Sequence, residues 1–168
     1  MTDVNEEIVK VYYEAQGYLV KTNHYYVKST LPKEGKRAGH GASDIDLIII
    51  HPKNKDKAII SVKGWLNDVV RKSNIEGKWK KKDYKLLNIN KQTLEAGEKF
   101  FENNDFKKIL VVSCIEEANY NELKSELERF YGYDLVIDFP TILKELIDGS
   151  PKNNLKPFDQ FRNYRDSE

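Results

Sequence analysis

Cysteine is nearly absent from this sequence. The single Cys114 in 168 residues can neither close an internal disulfide nor supply a Cys-rich zinc site. Long apolar runs are missing too, and nothing approaches the roughly 20 residues that a membrane-spanning helix needs. The opening stretch Met1-Thr-Asp-Val-Asn-Glu-Glu is acidic and lacks the basic and apolar regions of a signal peptide. Net charge is close to zero, with 28 Lys/Arg against 27 Asp/Glu leaving +1. There is no internal repeat and no low-complexity linker. These absences exclude membrane, disulfide-scaffold and zinc-finger classes and leave the expectation of a cytoplasmic domain with no membrane partner. The length fits one ordinary domain with a real core. A 39% hydrophobic and 33% charged composition predicts a heavily charged surface around it.

The charge is strongly segregated. Residues 1–51 carry six basic and seven acidic side chains, residues 52–85 eleven and four, and residues 86–168 eleven and sixteen. The middle block, at +7, can line one groove with positive potential whatever the total says. Its densest part is Lys78-Trp79-Lys80-Lys81-Lys82-Asp83-Tyr84-Lys85, where aromatic rings interrupt the lysines. Ammonium groups neutralise phosphates and flat rings stack on bases. Taken alone, such a run reads first as a solvated lysine-rich loop, and only chemistry nearby shifts it toward phosphate contact.

The pattern along the chain predicts an α/β domain over residues 1–148 and a polar tail over 149–168. A helix is expected over 3–16, capped by Asp3 and stopped by Gly17, with Val4, Ile8, Val11, Tyr12 and Ala15 at helical spacing. Residues 18–23 and 25–29 read as two strands, and 31–42 as a Gly/Lys-rich loop. Residues 45–50 and 57–64 form a strand pair across a turn at 51–56. A helix over 87–103 turns Leu94, Ala96, Phe100 and Phe101 inward. Lys108-Ile-Leu-Val-Val-Ser is a continuous apolar run, hence a strand buried on both faces. A helix over 119–131 is expected to bury Tyr120, Leu123, Leu127 and Phe130. A strand over 135–138 and a helix over 140–147 follow, and in the tail Phe158, Phe161 and Tyr164 are candidate docking anchors. This order predicts a mixed sheet of about five strands flanked by helices.

The chemically informative stretches are Gly41-Ala-Ser-Asp-Ile-Asp-Leu and Ile59-Ile-Ser-Val-Lys-Gly-Trp. Asp46 enters an apolar strand, and Lys63 leaves its neighbour 17 positions later, with Ser61 on the same face as Lys63 because strand side chains alternate. Cross-strand partners must sum to about 107 or 109 to set Asp46 on that face; a sum near 108 sets it against Val62 and demands a twist or bulge. A carboxylate and an ammonium group side by side suit metal-assisted phosphodiester hydrolysis. The carboxylate holds a divalent cation, and the lysine orients water or stabilises negative charge. The plainer alternative is a strand-end Asp in a salt bridge with a half-buried Lys.

Asp46 followed by the strand Ser61-Val62-Lys63 resembles the PD-(D/E)xK nuclease superfamily, the fold of many restriction enzymes and archaeal junction resolvases. The resemblance extends over residues 3–148. Glu7 lies on an N-terminal helix where the resolvases often carry a Glu, Gln92 lies on the helix after the lysine strand, and the closing strand and Leu-rich helix resemble Mrr-type domains. It implies a restriction-endonuclease-like core, Mg²⁺ or Mn²⁺ as cofactor and nucleic acid, DNA first, as substrate. The family usually carries Glu or Asp where this chain has Ser61. Some restriction endonucleases with this S-x-K variant recover the acid from a later Glu, at the spacing found here: Glu76 stands 13 positions after Lys63. The implied catalytic set is Asp46, Ser61, Lys63 and Glu76. The implied metal ligands are Asp46, Glu76 or Glu7, and the Val62 carbonyl. Lys78, Trp79, Lys80, Lys81, Lys82 and Lys85 would hold the phosphate backbone, with Asp44, His40 and Gln92 in support. Many such nucleases cut two strands as dimers, so a homodimer is also on the list of expected partners.

Two other readings stand beside this one. Asp44 and Asp46 resemble the paired acids of the nucleotidyltransferase superfamily, but the stretch around Gly35-Lys36 lacks that family's Gly-Ser and helix pattern, and the next strand offers Ser61 and Lys63 rather than a third acid. A nucleic-acid-binding subunit without catalysis is the other, and Ser61 favours it. His24 and His51 lie at strand ends with nothing converging on them, Cys114 reads as core, and Trp65 serves the core as readily as nucleic acid.

Overall fold

In the computed structural model, which describes residues 3–29, 40–63, 69–73 and 91–149, helix α1 (Val4–Glu14) begins where the Asp3 carboxylate accepts the Asn5 N–H at 3.0 Å. Glu6 and Glu7 in its first turn complement the positive end of the helix dipole. Gly17, at φ 84, turns the chain out of the helix in a conformation glycine adopts without strain.

The strands are β1 (Leu19–Ser29), β2 (His40–Ile50), β3 (Lys57–Lys63), β4 (Val69–Val70), β5 (Lys107–Val112), β6 (Cys114–Ile115) and β7 (Leu135–Asp138). Helices α2 (Lys91–Phe101), α3 (Tyr120–Tyr131) and α4 (Phe139–Ile147) lie among them, with a 3₁₀ turn at Glu117–Asn119 before α3. The main sheet runs β1-β2-β3-β5-β7, and β4 and β6 form a separate two-stranded ladder. The β1–β2 and β2–β3 pairs are antiparallel, while β3, β5 and β7 are parallel. This is the mixed, helix-flanked α/β sheet expected from the element order.

Alternation assigns the two faces. Leu47, Ile49, Ala58, Ile60, Ile109, Val111, Leu135 and Ile137 pack with Val9, Tyr12 and Tyr13 of α1 and with Ile142 of α4. On the opposite face, Ile48 and Ile59 meet Ala96, Phe100 and Phe101 of α2. Leu110, Val112 and Val136 meet Leu123 and Leu127 of α3. The parallel connections β3-α2-β5 and β5-α3-β7 step the same way along the sheet, so a constant crossover hand puts α2 and α3 on one face. Residues 109–112 of β5 are buried throughout, as their unbroken apolar run predicts for a strand covered on both sides.

Several expectations need correction. The two strands over 18–23 and 25–29 are one strand, β1, bent at Asn23, whose φ of 51 breaks the extended backbone. The loop over 31–42 ends earlier than expected: β2 starts at His40, because Gly41 and Ala42 pair with Lys28 and Val27 and the ladder offsets their weak strand preference. On α1 the buried stripe is Val9, Tyr12 and Tyr13, leaving Val4 and Val11 exposed. On α3 Phe130 is 61% exposed, and Tyr131 packs on the core in its place. A stripe through positions 123 and 127 can continue to either 130 or 131 in a helix of 3.6 residues per turn. Cys114 is not a core residue; it is half-exposed in β6, where burial and nearby Asp138 raise its thiol pKa. Of the expected helix over 87–103, residues 91–101 are helical and 87–90 lie outside the described residues. The tail beyond Gly149 also lies outside them.

Candidate active site at the carboxyl end of the parallel strands

Cross-strand partners between β2 and β3 run from Ile50–Lys57 to Leu47–Ile60, each pair summing to 107. Continued by one step, that register sets Asp46 opposite Ser61, on the side that also carries Lys63. The ladder stops there. Beyond Leu47, β2 pairs only with β1, whereas β3 runs on to Lys63 beside β5. The two strands therefore stop pairing at Asp46 and Ser61, at the carboxyl ends of the parallel strands, the usual ligand side of such sheets.

The parting is built into β1 and β2. Asn23 in its left-handed conformation faces the position of Asp46, and the regular β1–β2 pairs skip it. Past this kink Ile45 packs with Ile48 and Ile59, although strict alternation would put it on the other face. Asp46 fills the gap. Its Oδ2 accepts the Val62 backbone N–H at 2.7 Å, replacing a ladder bond with a charge-assisted one. The carboxylate is thus anchored to the residue immediately before Lys63.

Ser61 and Lys63 are half-buried, and Lys63 pairs across to Val112 as the last residue of β3. The Ser61 hydroxyl hydrogen-bonds the phenol of Tyr133, which lies between α3 and β7 and is 5% exposed. Burial, and then the negative charge of Asp46, push the Tyr133 phenol well above its ordinary pKa, so it stays protonated. Gly132, left-handed at φ 70, caps α3 and turns the chain toward Tyr133. Sequence reasoning missed Tyr133, whose contact with Ser61 spans 72 residues and leaves no local pattern. Tyr133→Phe is expected to lower the unfolding free energy by about 0.5–1.5 kcal/mol, the net worth of one hydrogen bond, as read from urea denaturation.

Asp138 is the second residue missed. It ends β7, two strands from Lys63 in the same row as Val112, and is 2% exposed. Its Oδ1 accepts the Thr141 N–H at 3.2 Å and the Thr141 hydroxyl at 2.6 Å, and its Oδ2 accepts the Ile115 N–H at 3.1 Å. It caps α4 and ties it to β6. A chemistry-bearing Asp at a strand end looks the same in sequence as a helix cap.

The other candidates are placed less centrally. Glu7 pairs with Lys10 at 2.9 Å and lines a groove between α1 and α4, on the sheet face opposite Ser61. Gln92 stands half-buried in the first turn of α2. The backbones of His40 and Asp44 lie on β2, paired with Ser29 and Tyr25. Glu76, Lys78, Trp79, Lys80, Lys81, Lys82 and Lys85 lie outside the described residues, as does Trp65. His51 is a structural residue: its Nδ1 accepts the Lys53 and Asn54 N–H groups at 3.3 and 3.4 Å, and its ring meets Tyr18 edge-on. His24 packs edge-on against Phe100.

Among the described residues no three His, Cys, Asp or Glu side chains cluster as a metal site. Among the described residues, the oxygens at this strand end include the Asp46 carboxylate and the Val62 carbonyl. These are hard oxygens, and Mg²⁺ characteristically binds through only one or two carboxylates while retaining waters. The donor chemistry therefore fits Mg²⁺ or Mn²⁺ better than a softer metal. Comparison of the chain with protein-family models, with curated proteins and with solved structures returns no match.

Proposed function

We propose that the protein is a divalent-metal-dependent endonuclease with a restriction-endonuclease-like core, hydrolysing phosphodiester bonds of nucleic acid, DNA first. The observation that carries this reading is the Asp46 carboxylate bonded to the Val62 N–H where β2 and β3 part, one residue before Lys63. In this reading Asp46 binds Mg²⁺ or Mn²⁺, with the Val62 carbonyl and Glu76 as further ligands. The metal supplies polarisation of a phosphate oxygen and a lowered pKa for the attacking water. Lys63 places its ammonium against the charge that grows on the phosphate as water adds and the leaving P–O bond breaks. The lysines of 78–85 neutralise the flanking phosphates.

Ser61 supports a specific form of this site. Its hydroxyl is engaged by Tyr133, so the acid that the family carries at this position has to come from elsewhere, and Glu76 is assigned that role. Glu76→Ala should cut cleavage by about 10²-fold or more, and Ser61→Glu in that background should restore part of it. Full activity of the Glu76→Ala protein would remove Glu76 from the site. The Ser61–Tyr133 bond also favours a second reading, a nucleic-acid-binding subunit that does not cut. Salt-sensitive binding of DNA without cleavage in Mg²⁺ or Mn²⁺ would select it.

A further inference from the structure

Four of the six large apolar side chains exposed among the described residues, Val4, Val11, Leu143 and Ile147, belong to α1 and α4; Leu19 and Phe130 lie elsewhere. Val4, Ile8 and Val11 form one stripe of α1, and Leu143 and Leu146 one stripe of α4. With Glu7 they line a groove of about 510 Å³. Val4 is 72% exposed, and Ile147, at the end of α4 beside the groove-lining Leu146, is 83% exposed. Contiguous apolar surface of this kind marks an interaction site.

We infer that the groove is the docking site of the chain's own C-terminal segment, residues 155–164. Three observations select this occupant. The segment follows α4 closely in sequence, and Gly149, left-handed at φ 65 with its N–H on the Leu146 carbonyl at 3.1 Å, ends the helix. Leu155 stands six positions after Gly149, a length of chain that spans up to about 20 Å when extended. That exceeds the roughly 14 Å length of the nine-residue α4, so the segment can return along the whole groove.

The segment has the matching pattern. Leu155, Phe158, Phe161 and Tyr164 recur at every third position, a spacing that keeps them near one side of a helical or polyproline-type segment. The charges are complementary as well. Within 155–164, Lys156 and Arg162 stand against Asp159, a net +1, while Asp3, Glu6, Glu7 and Glu14 against Lys10 give the α1 region, 3–14, a net −3. A second copy of the chain would bring a like-charged α1 to the same groove.

The test is a nitroxide label at Gln160→Cys in a Cys114→Ser full-length chain carrying ¹³C-methyl Val and Leu. The label should broaden the Val4, Val11 and Leu143 methyl signals beyond detection, and ascorbate reduction should restore them. Adding Phe158→Ala and Phe161→Ala should abolish the broadening while the chain stays folded. Unbroadened methyl signals would overturn the proposal, as would broadening that persists in the double alanine chain. Broadening seen only when labelled and isotope-enriched chains are mixed would overturn it in favour of a second copy. None of these results depends on nuclease activity.

Discussion

Asp46→Asn is expected to cut metal-dependent cleavage by at least about 10²–10³-fold, the cost of removing one charged group from a preorganised site, with stability nearly unchanged. The amide oxygen of Asn can still accept the Val62 N–H that Asp46 Oδ2 holds at 2.7 Å, but it no longer carries the charge that binds a cation. Asp46→Ala separates the two roles differently. It removes the same activity and also leaves the Val62 N–H without its acceptor where β2 and β3 part, costing a further 1–3 kcal/mol or so in unfolding free energy. Lys63→Ala should lose activity to a similar degree and leave the fold in place, because Lys63 ends its strand and is only half-buried. Plasmid nicking in Mg²⁺ and urea unfolding of the same preparations check both halves. Equal activity of Asp46→Asn and the parent chain would contradict the proposed site.

Asp138→Ala is expected to give the largest stability loss outside the apolar core, about 2–4 kcal/mol. Losing a helix cap costs about 0.5–2 kcal/mol, and here Thr141 loses both its N–H and its hydroxyl contact. The Ile115 N–H, buried with its residue, loses the Asp138 Oδ2 acceptor, which adds about 1–3 kcal/mol. Asp138→Asn keeps one acceptor oxygen and should lose roughly half as much. Against a total of about 5–15 kcal/mol for a domain of this size, the alanine change should lower the urea midpoint visibly without changing the slope. A loss below about 0.5 kcal/mol would mean that the β6–α4 tie contributes little.

What was legible in the sequence was what local chemistry decides. The unbroken run Ile109-Leu-Val-Val had to be a strand covered on both faces, and it is. Asp3 had the form of a helix cap and acts as one. The hairpin over 51–56 limited the β2–β3 register to a few sums, and the observed sum of 107, continued one step past the last pair, leads to Asp46 and Ser61. What was not legible depended on partners distant in the chain. Gly41 and Ala42 are strand residues only because β1 lies beside them. Tyr131 displaces Phe130 because the packing of α3 against β7 sets the helix rotation. The short β4–β6 ladder pairs two residues with two others some 45 positions away, below any periodicity. Tyr133 reaches Ser61 and Asp138 reaches Ile115 through the fold, so neither contact has a sequence signature.

The most direct measurement is metal-dependent cleavage of a panel holding plasmid, single-stranded DNA, a four-way junction and structured RNA. The parent chain and Lys63→Ala would run side by side in Mg²⁺, Mn²⁺ and EDTA. The proposed function requires cutting of at least one DNA substrate by the parent chain, lost in EDTA and reduced by at least about 10²-fold in Lys63→Ala. No cutting of any substrate by the folded parent chain, or cutting that survives EDTA or the loss of Lys63, would contradict it.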